Sequence, residues 1–388
     1  MNKKVGILTF HYAHNYGAVL QAYALKTKLA RMGYDAKVVN YQNKYIARLY
    51  RQGTHIDYWK RDILPNRWGR LIGIARKQRH GRSEWQRQWK AFEQFIGQYL
   101  MDEQLPHAGE KVLHTTDEVA QSNCDAYILG SDQIWARELT HGLDPVYFGQ
   151  FASDKPKISY AASVPNGNIP EGEKTQFQEY LAQLQSVSVR EETLAEELEE
   201  LLQRKVDTVV DPTLLLEKCD YESLLYEHTL EEQEYLFVYY VVENPVLTKL
   251  ARIAAKQLGC KLVELHYQRT PERDAEFERT QTDLDVTYIY DAGPREFLTY
   301  IRDARMVMTN SFHGTVFSIL FHKQFYSVYE QNGRIQNLLD FLGISERHIY
   351  AEESLQLTEE MAYEPVAQKL AQYRSKSEQY LENALAQK

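Results

Sequence analysis

The sequence predicts a two-part α/β protein whose parallel sheets are covered by helices, and three observations carry the prediction. Short apolar runs of strand length alternate with longer stretches of helical spacing. The alternation pauses over residues 211–234 and then restarts. The chain has 388 residues, 44% apolar and 26% charged; this length suits two domains, and the balance excludes disordered, collagenous and disulfide-stapled classes.

In the first half, residues 5–10 form a compact apolar run, followed by Ala18, Ala22, Leu25, Leu29 and Met32 at helical spacing, with Gly33 as the stop. Further strands are expected at 36–39, 126–129, 158–162, 187–189 and 208–210, then an acid-rich helix over 191–205 with a solvated charged face. In the second half, strands are expected at 235–242, 261–264, 287–289, 306–308 and 324–328, with a helix over 315–321. The segment 358–388 reads as one or two helices whose stripe of Ala362, Val366, Leu370 and Tyr373 packs back on the body. The expected divisions are 1–225, 226–355 and 356–388.

Cys124, Cys219 and Cys260 are scattered, with no CxxC pair and no histidine at metal-ligand spacing, so no metal is expected and a reducing cytoplasm is the simplest home. No apolar run is long enough for a secretion signal or a membrane span. A net charge of −9 gives no reason to expect nucleic acid as a partner. Residues 44–90 depart from that balance, with 13 Lys/Arg against Asp57, Asp62 and Glu84. Tyr45, Tyr50, Tyr58, Trp59, Trp68, Trp85 and Trp89 are interleaved with them. The mixture suits peripheral contact with the anionic inner face of a membrane, or equally a solvated helical insert whose aromatics pack inward.

Polar clusters follow several strands. Asn15 and Gly17 open the first helix, one as an N-cap and the other where backbone approaches a ligand. Gly130-Ser-Asp132-Gln133-Ile-Trp135 follows the run 126–129, Arg190 and Glu191 close the run 187–189, and Asn310-Ser311-Phe-His313-Gly314 follows 306–308. If the sheets are parallel, each lies at a carboxyl edge, where open α/β sheets bind ligands. Ordinary structural roles exist for each: Asp132 as a cap, Arg190 paired with Glu191 or Glu192, His313 as a packed interior histidine.

Taken together these residues resemble the polysaccharide pyruvyl transferase family. The resemblance runs from Asn15-Tyr16-Gly17 through GSDQIW at 130–135, SVSVRE at 186–191 and VVDPTLLL at 209–216 to NSFHGTVFSILF at 310–321. It implies a GT-B-like fold, two Rossmann-like domains facing across a cleft. It also implies transfer of the enolpyruvyl unit of phosphoenolpyruvate to two sugar hydroxyls as a cyclic ketal, releasing phosphate, with no cofactor and no metal. The acceptor would be a glycan or lipid-linked oligosaccharide of cell-surface polysaccharide assembly.

On that resemblance His313 is the expected general acid and Asp132 the base, with His14 as second choice. Arg190, Asn310, Ser311 and Gly314 would bind the donor, and Asn15, Tyr16, Gly17, Gln133 and Trp135 the acceptor. One departure matters: the family usually carries an arginine where this chain has Ser311. Lys323 and Arg334 are the candidates to replace that cation. A GT-B glycosyltransferase using a nucleotide sugar, and an inactive glycan-binding relative, are the alternative readings.

Overall fold

The computed structural model of the chain describes residues 2–51, 82–101, 111–267, 284–330, 333–357 and 360–386. Two parallel sheets organise it. In the first, β1 (Lys4–Leu8), β2 (Asp35–Val38), β3 (Ala126–Leu129) and β4 (Lys157–Ser159) stand in the order β2-β1-β3-β4. Val5 is in register with both Ala36 and Ala126. β5 (Ser188–Val189) and β6 (Asp207–Thr208) extend this plane through the parallel bridges Ile158–Ser186 and Ala162–Val189. The second sheet holds β7 (Tyr235–Tyr239), β8 (Lys261–Leu265), β9 (Val286–Ile289), β10 (Met306–Thr309) and β11 (Gln324–Ser327), in the order β11-β10-β7-β8-β9.

Each expected apolar run contains a strand; the amino ends differ by at most one residue and the larger differences lie at the carboxyl ends. Phe10, Ala161 and Ala162 are in loops yet fully covered, so apolar pattern continued past the last strand residue. The central strands β3, β7 and β10 are buried at every position, as parallel strands covered on both faces should be.

α1 (Tyr16–Arg31) is buried almost all round because it packs on the first sheet and also against the second half. Asn15 caps it and Gly33, at φ +90°, turns the chain out of it. Tyr16 stacks on Phe297 at 4.6 Å between ring centres and donates from its hydroxyl to the Ala292 carbonyl at 2.7 Å. One continuous core thus runs from Val5 and Ile128 through α1 to Phe237, Val307 and Phe317. The two halves are joined by apolar packing as well as by the chain.

α2 (Lys44–Arg51) and α3 (Arg82–Phe95) are the described ends of the basic aromatic stretch. Its centre, 52–81, and with it most of the expected membrane contact, lies outside the described residues. α3 is wedged between the halves: Arg87 pairs with Asp291 at 2.7 Å, Gln88 reaches the Tyr16 hydroxyl, and Glu93 meets His14. Beyond it stand α4 (Pro294–Asp303), α5 (Phe312–Leu320), α6 (Gly333–Leu342) and α7 (Tyr363–Ala386). α7 crosses back to the first half, where Tyr380 donates to the Ser159 carbonyl and Ser377 accepts from the Val210 amide. No helix among the described residues is long and apolar enough to cross a membrane.

Candidate active site

The carboxyl edges of the two sheets meet around Asp211, a residue of the connecting segment. The local sequence explains its position: Asp211 precedes Pro212 at the start of a short helix, and its Oδ1 accepts from the amide and hydroxyl of Thr213. That leaves Oδ2 free to face inward. Oδ2 accepts from Arg190 Nη1 at 2.9 Å and lies 3.6 Å from His313 Nε2 and 3.4 Å from Ser131 Oγ. Burial alone would raise the Asp211 carboxyl, but His313, Arg190 and Thr213 outweigh it and hold it well below its ordinary value.

Arg190 is buried, with its guanidinium over the Phe312 ring at 4.8 Å and Nε donating to Glu191 Oε1 at 3.2 Å. Burial opposes its charge, yet Glu191, Asp211 and Asp132 together raise it above its ordinary value. Three buried polar atoms here have no hydrogen-bond partner among the described residues: Arg190 Nη2, Glu191 Oε2 and His313 Nε2. Buried polar atoms are nearly always satisfied, and three of the six unsatisfied ones among the described residues fall in this cluster.

His313 occupies the first turn of α5, which Ser311 caps by accepting from the Gly314 amide at 3.1 Å. The helix therefore begins three residues earlier than its apolar pattern suggested. Its ring lies against Gly17 so closely that a Cβ there would fall 1.9 Å from Nδ1. Gly17 is required by this approach rather than by its backbone angle. Nε2 faces Asp211, while Nδ1 is the ring atom nearest Gly17.

Asp132 stands in the left-handed region at φ 77°, a conformation that aspartate tolerates better than most residues, and its Oδ1 accepts from the Gln133 amide. Its charge acts on Arg190, Arg334 and Tyr267. Arg334, in the first turn of α6, is half-buried and within electrostatic reach of Arg190, Glu191, Asp132 and Asp211. Burial and then Arg190 lower its guanidinium, against the raising effect of the carboxylates. Among the described residues it makes no hydrogen bond or ion pair. Asn15, besides capping α1, donates to the Tyr267 hydroxyl at 3.2 Å, linking the first helix to the end of β8.

Several expected site residues belong elsewhere. Lys323 precedes β11 and donates to the Arg302 carbonyl at 2.9 Å, at the opposite end of the sheet from His313. Of the two candidate replacements for the family arginine, Arg334 is therefore the one beside the cluster. Trp135 is a core residue, stacked on Phe148 and donating to the Tyr147 carbonyl at 2.9 Å. Tyr16 is interior packing. The Asn310 side chain is committed to the Val241 amide and Val242 carbonyl, and Gly314 fits closely over Thr309. Gln133 is partly buried and contributes its backbone amide to Asp132. His14 pairs with Glu93 at 2.8 Å and stacks on Phe92.

Sequence reasoning missed Asp211. The VVDPTLLL motif was visible, but Asp-Pro reads as a helix start, and only one of the two carboxylate oxygens serves that purpose.

Comparisons with known proteins agree with this architecture. The model of the family described as polysaccharide pyruvyl transferase matches residues 15–332. No curated protein matches the chain. Among solved structures, a UDP-N-acetylglucosamine 2-epimerase is similar with a TM-score of 0.57 at 11% identity, covering 99% of this chain and 96% of the other. The UDP-GlcNAc 2-epimerase of Neisseria meningitidis bound to UDP-GlcNAc gives 0.50 at 10%, covering 98% and 94%. MnaA of S. aureus with UDP gives 0.50 at 11%, covering 96% and 88%. At such identities the likeness concerns the fold, which is GT-B-like with two Rossmann-like domains. With a match that covers residues 15–332, the chain belongs to the polysaccharide pyruvyl transferase family, a family of enzymes.

Proposed function

We propose that this enzyme transfers the pyruvyl unit of phosphoenolpyruvate to two hydroxyls of one sugar, in a cell-surface polysaccharide or its lipid-linked precursor, forming a cyclic ketal. The observation that carries the reading is the pairing of an anion-receiving cluster with an open imidazole. Arg190 Nη2, Arg334 and the first two amides of α5 offer donors to a phosphate and a carboxylate, and His313 Nδ1 stands beside them.

In this mechanism His313 gives its proton to the methylene carbon, and the double-bond electron pair forms the new C–H bond. The cationic carbon left behind is attacked by one sugar hydroxyl, whose proton passes to Asp132. The second hydroxyl displaces phosphate and closes the ring; of the two hydroxyl protons, one balances the new methyl hydrogen and the other leaves with phosphate. Asp211, held ionised, orients the imidazole and stabilises its protonated form.

The test incubates purified protein with phosphoenolpyruvate and undecaprenyl-linked or free oligosaccharides, following the acceptor by mass spectrometry and free phosphate in parallel. A pyruvyl ketal with one phosphate per product is the expected result. Nucleoside diphosphate released from a nucleotide sugar, with phosphoenolpyruvate untouched, would instead assign the site to glycosyl transfer.

A further inference from the structure

A concavity lies beside the β1–α1 loop, with Tyr12 and His14 of that loop in its lining. Its volume is about 660 Å³, within the range of about 300–1,000 Å³ typical of small-molecule sites. Its wall is one face of α3. Trp85, Trp89 and Glu93 follow one another at four-residue spacing on a single stripe, with Gln86 and Lys90 on the adjoining stripe, and Tyr12 faces them from the loop.

The chemistry of this lining is selective. Trp85 and Trp89 are only partly buried, and neither indole N–H has a hydrogen-bond acceptor among the described residues. Trp135, in the core of the same chain, does have one. Two partly covered indoles thus offer flat apolar faces with unengaged donors at their edges. Gln86 and Lys90 are exposed beside them and Glu93 is buried at the base. One lysine facing one carboxylate is a poor receptor for a phosphate, and the amide and charged groups are a poor lining for a lipid chain. A pyranose ring, with an apolar C–H face and a rim of hydroxyls, matches both parts.

The cavity is also rigidly placed. Arg87 on the outer side of α3 is paired with Asp291, and Ala91 packs so closely on Gly293 that a Cβ there would lie 2.5 Å from the Ala91 methyl. His14 forms part of the cavity wall, and Gly17, three residues later, touches His313. Three residues span at most about 11 Å between Cα atoms, so both places fall within reach of one short oligosaccharide.

We propose that this cavity is a saccharide subsite that holds a ring adjacent to the one being modified, so that the enzyme takes an oligosaccharide rather than a free monosaccharide. Only the word "adjacent" rests on the pyruvyl-transfer reading; binding of the sugar does not.

The test measures binding without any donor, by saturation-transfer NMR and calorimetry, with gluco-, galacto- and manno-configured di- to tetrasaccharides as probes. At least one oligosaccharide should bind more tightly than its monosaccharide. Trp85→Ala and Trp89→Ala should each weaken it by about tenfold, the scale of a lost aromatic contact. Trp89→Phe should restore most of the loss, and exposed Gln86→Ala, which leaves the fold untouched, should weaken binding by a smaller factor. Failure of every probe to bind, or binding indifferent to Trp85, Trp89 and Gln86, would overturn the proposal. Binding in the cavity by a protein that ignores phosphoenolpyruvate would refute the activity and leave the subsite standing. Ketal formation with saccharide binding indifferent to these residues would do the reverse.

Discussion

Two histidine–carboxylate pairs flank the β1–α1 loop, and they are built differently. His14 and Glu93 stand 2.8 Å apart in a completed hydrogen bond, with the imidazole stacked on Phe92 at 5.2 Å and 11°. His313 and Asp211 stand 3.6 Å apart, and His313 Nε2 is buried without a bond. A third pair, His266 and Glu264, is also bonded at 2.9 Å with its ring stacked on Tyr240, but His266 Nδ1 and Glu264 Oε1 are buried without a partner among the described residues. A closed pair has its geometry and charge committed to the fold. In the open pair the carboxylate is held ionised by His313 itself and by Arg190, while the imidazole nitrogen that faces it completes no bond.

Replacing each histidine breaks the comparison most directly. His313→Ala should lower kcat by about 10²–10⁴-fold, the usual worth of a general acid. His14→Ala should change kcat by less than about tenfold and act mainly on the KM for the acceptor. Equal losses of kcat would erase the distinction. The carboxylates come next, because Asp211→Asn removes one of the two carboxylates paired with buried Arg190. A loss of roughly 1–3 kcal/mol is expected in thermal or urea unfolding, against about 1 kcal/mol for Glu93→Gln.

Gly17→Ala sharpens the comparison from the other side. The added methyl must displace the His313 ring, and a misplacement of about 1 Å in a catalytic group costs on the order of 10²-fold in rate. The variant should retain donor binding, measured by calorimetry with phosphoenolpyruvate.

The pH dependence follows from Asp211. Its carboxyl is depressed in the folded state, so the stability it contributes is present above the ordinary aspartate value of about 3.9 and is lost as pH falls towards its folded value. Acid unfolding should therefore steepen below about pH 4, and Asp211→Asn should flatten that part of the curve. The smallest effect expected is on donor affinity. Arg334→Gln should raise the KM for phosphoenolpyruvate severalfold, about 1 kcal/mol, whereas Lys323→Gln should leave it unchanged.

The sheets were legible in the sequence because parallel strands buried on both faces leave continuous apolar runs; 126–129 coincides with β3. Strand ends were less legible, since loops such as 160–162 are buried too. In the site, the N-cap role of Ser311 could be read from residue type, and so could the presence of Arg190, Asp132 and His313 at carboxyl edges. Direction could not. Tyr16 and Trp135 stand in the same motifs as site residues but point into the core, and Lys323 and Arg334 lie close in sequence at opposite ends of β11. Asp211 was hidden because its sequence context announces a cap, and the oxygen that matters is the one capping does not use.

The central claim is that His313 protonates the donor, and running the reaction in deuterated water tests it most directly. With phosphoenolpyruvate and an accepted oligosaccharide, the ketal methyl group should carry one solvent deuteron, with one phosphate released per product, and His313→Ala should abolish both signals. A His313→Ala enzyme that incorporates deuterium at the wild-type rate, or a wild-type enzyme that releases phosphate without labelling the methyl group, would contradict the account.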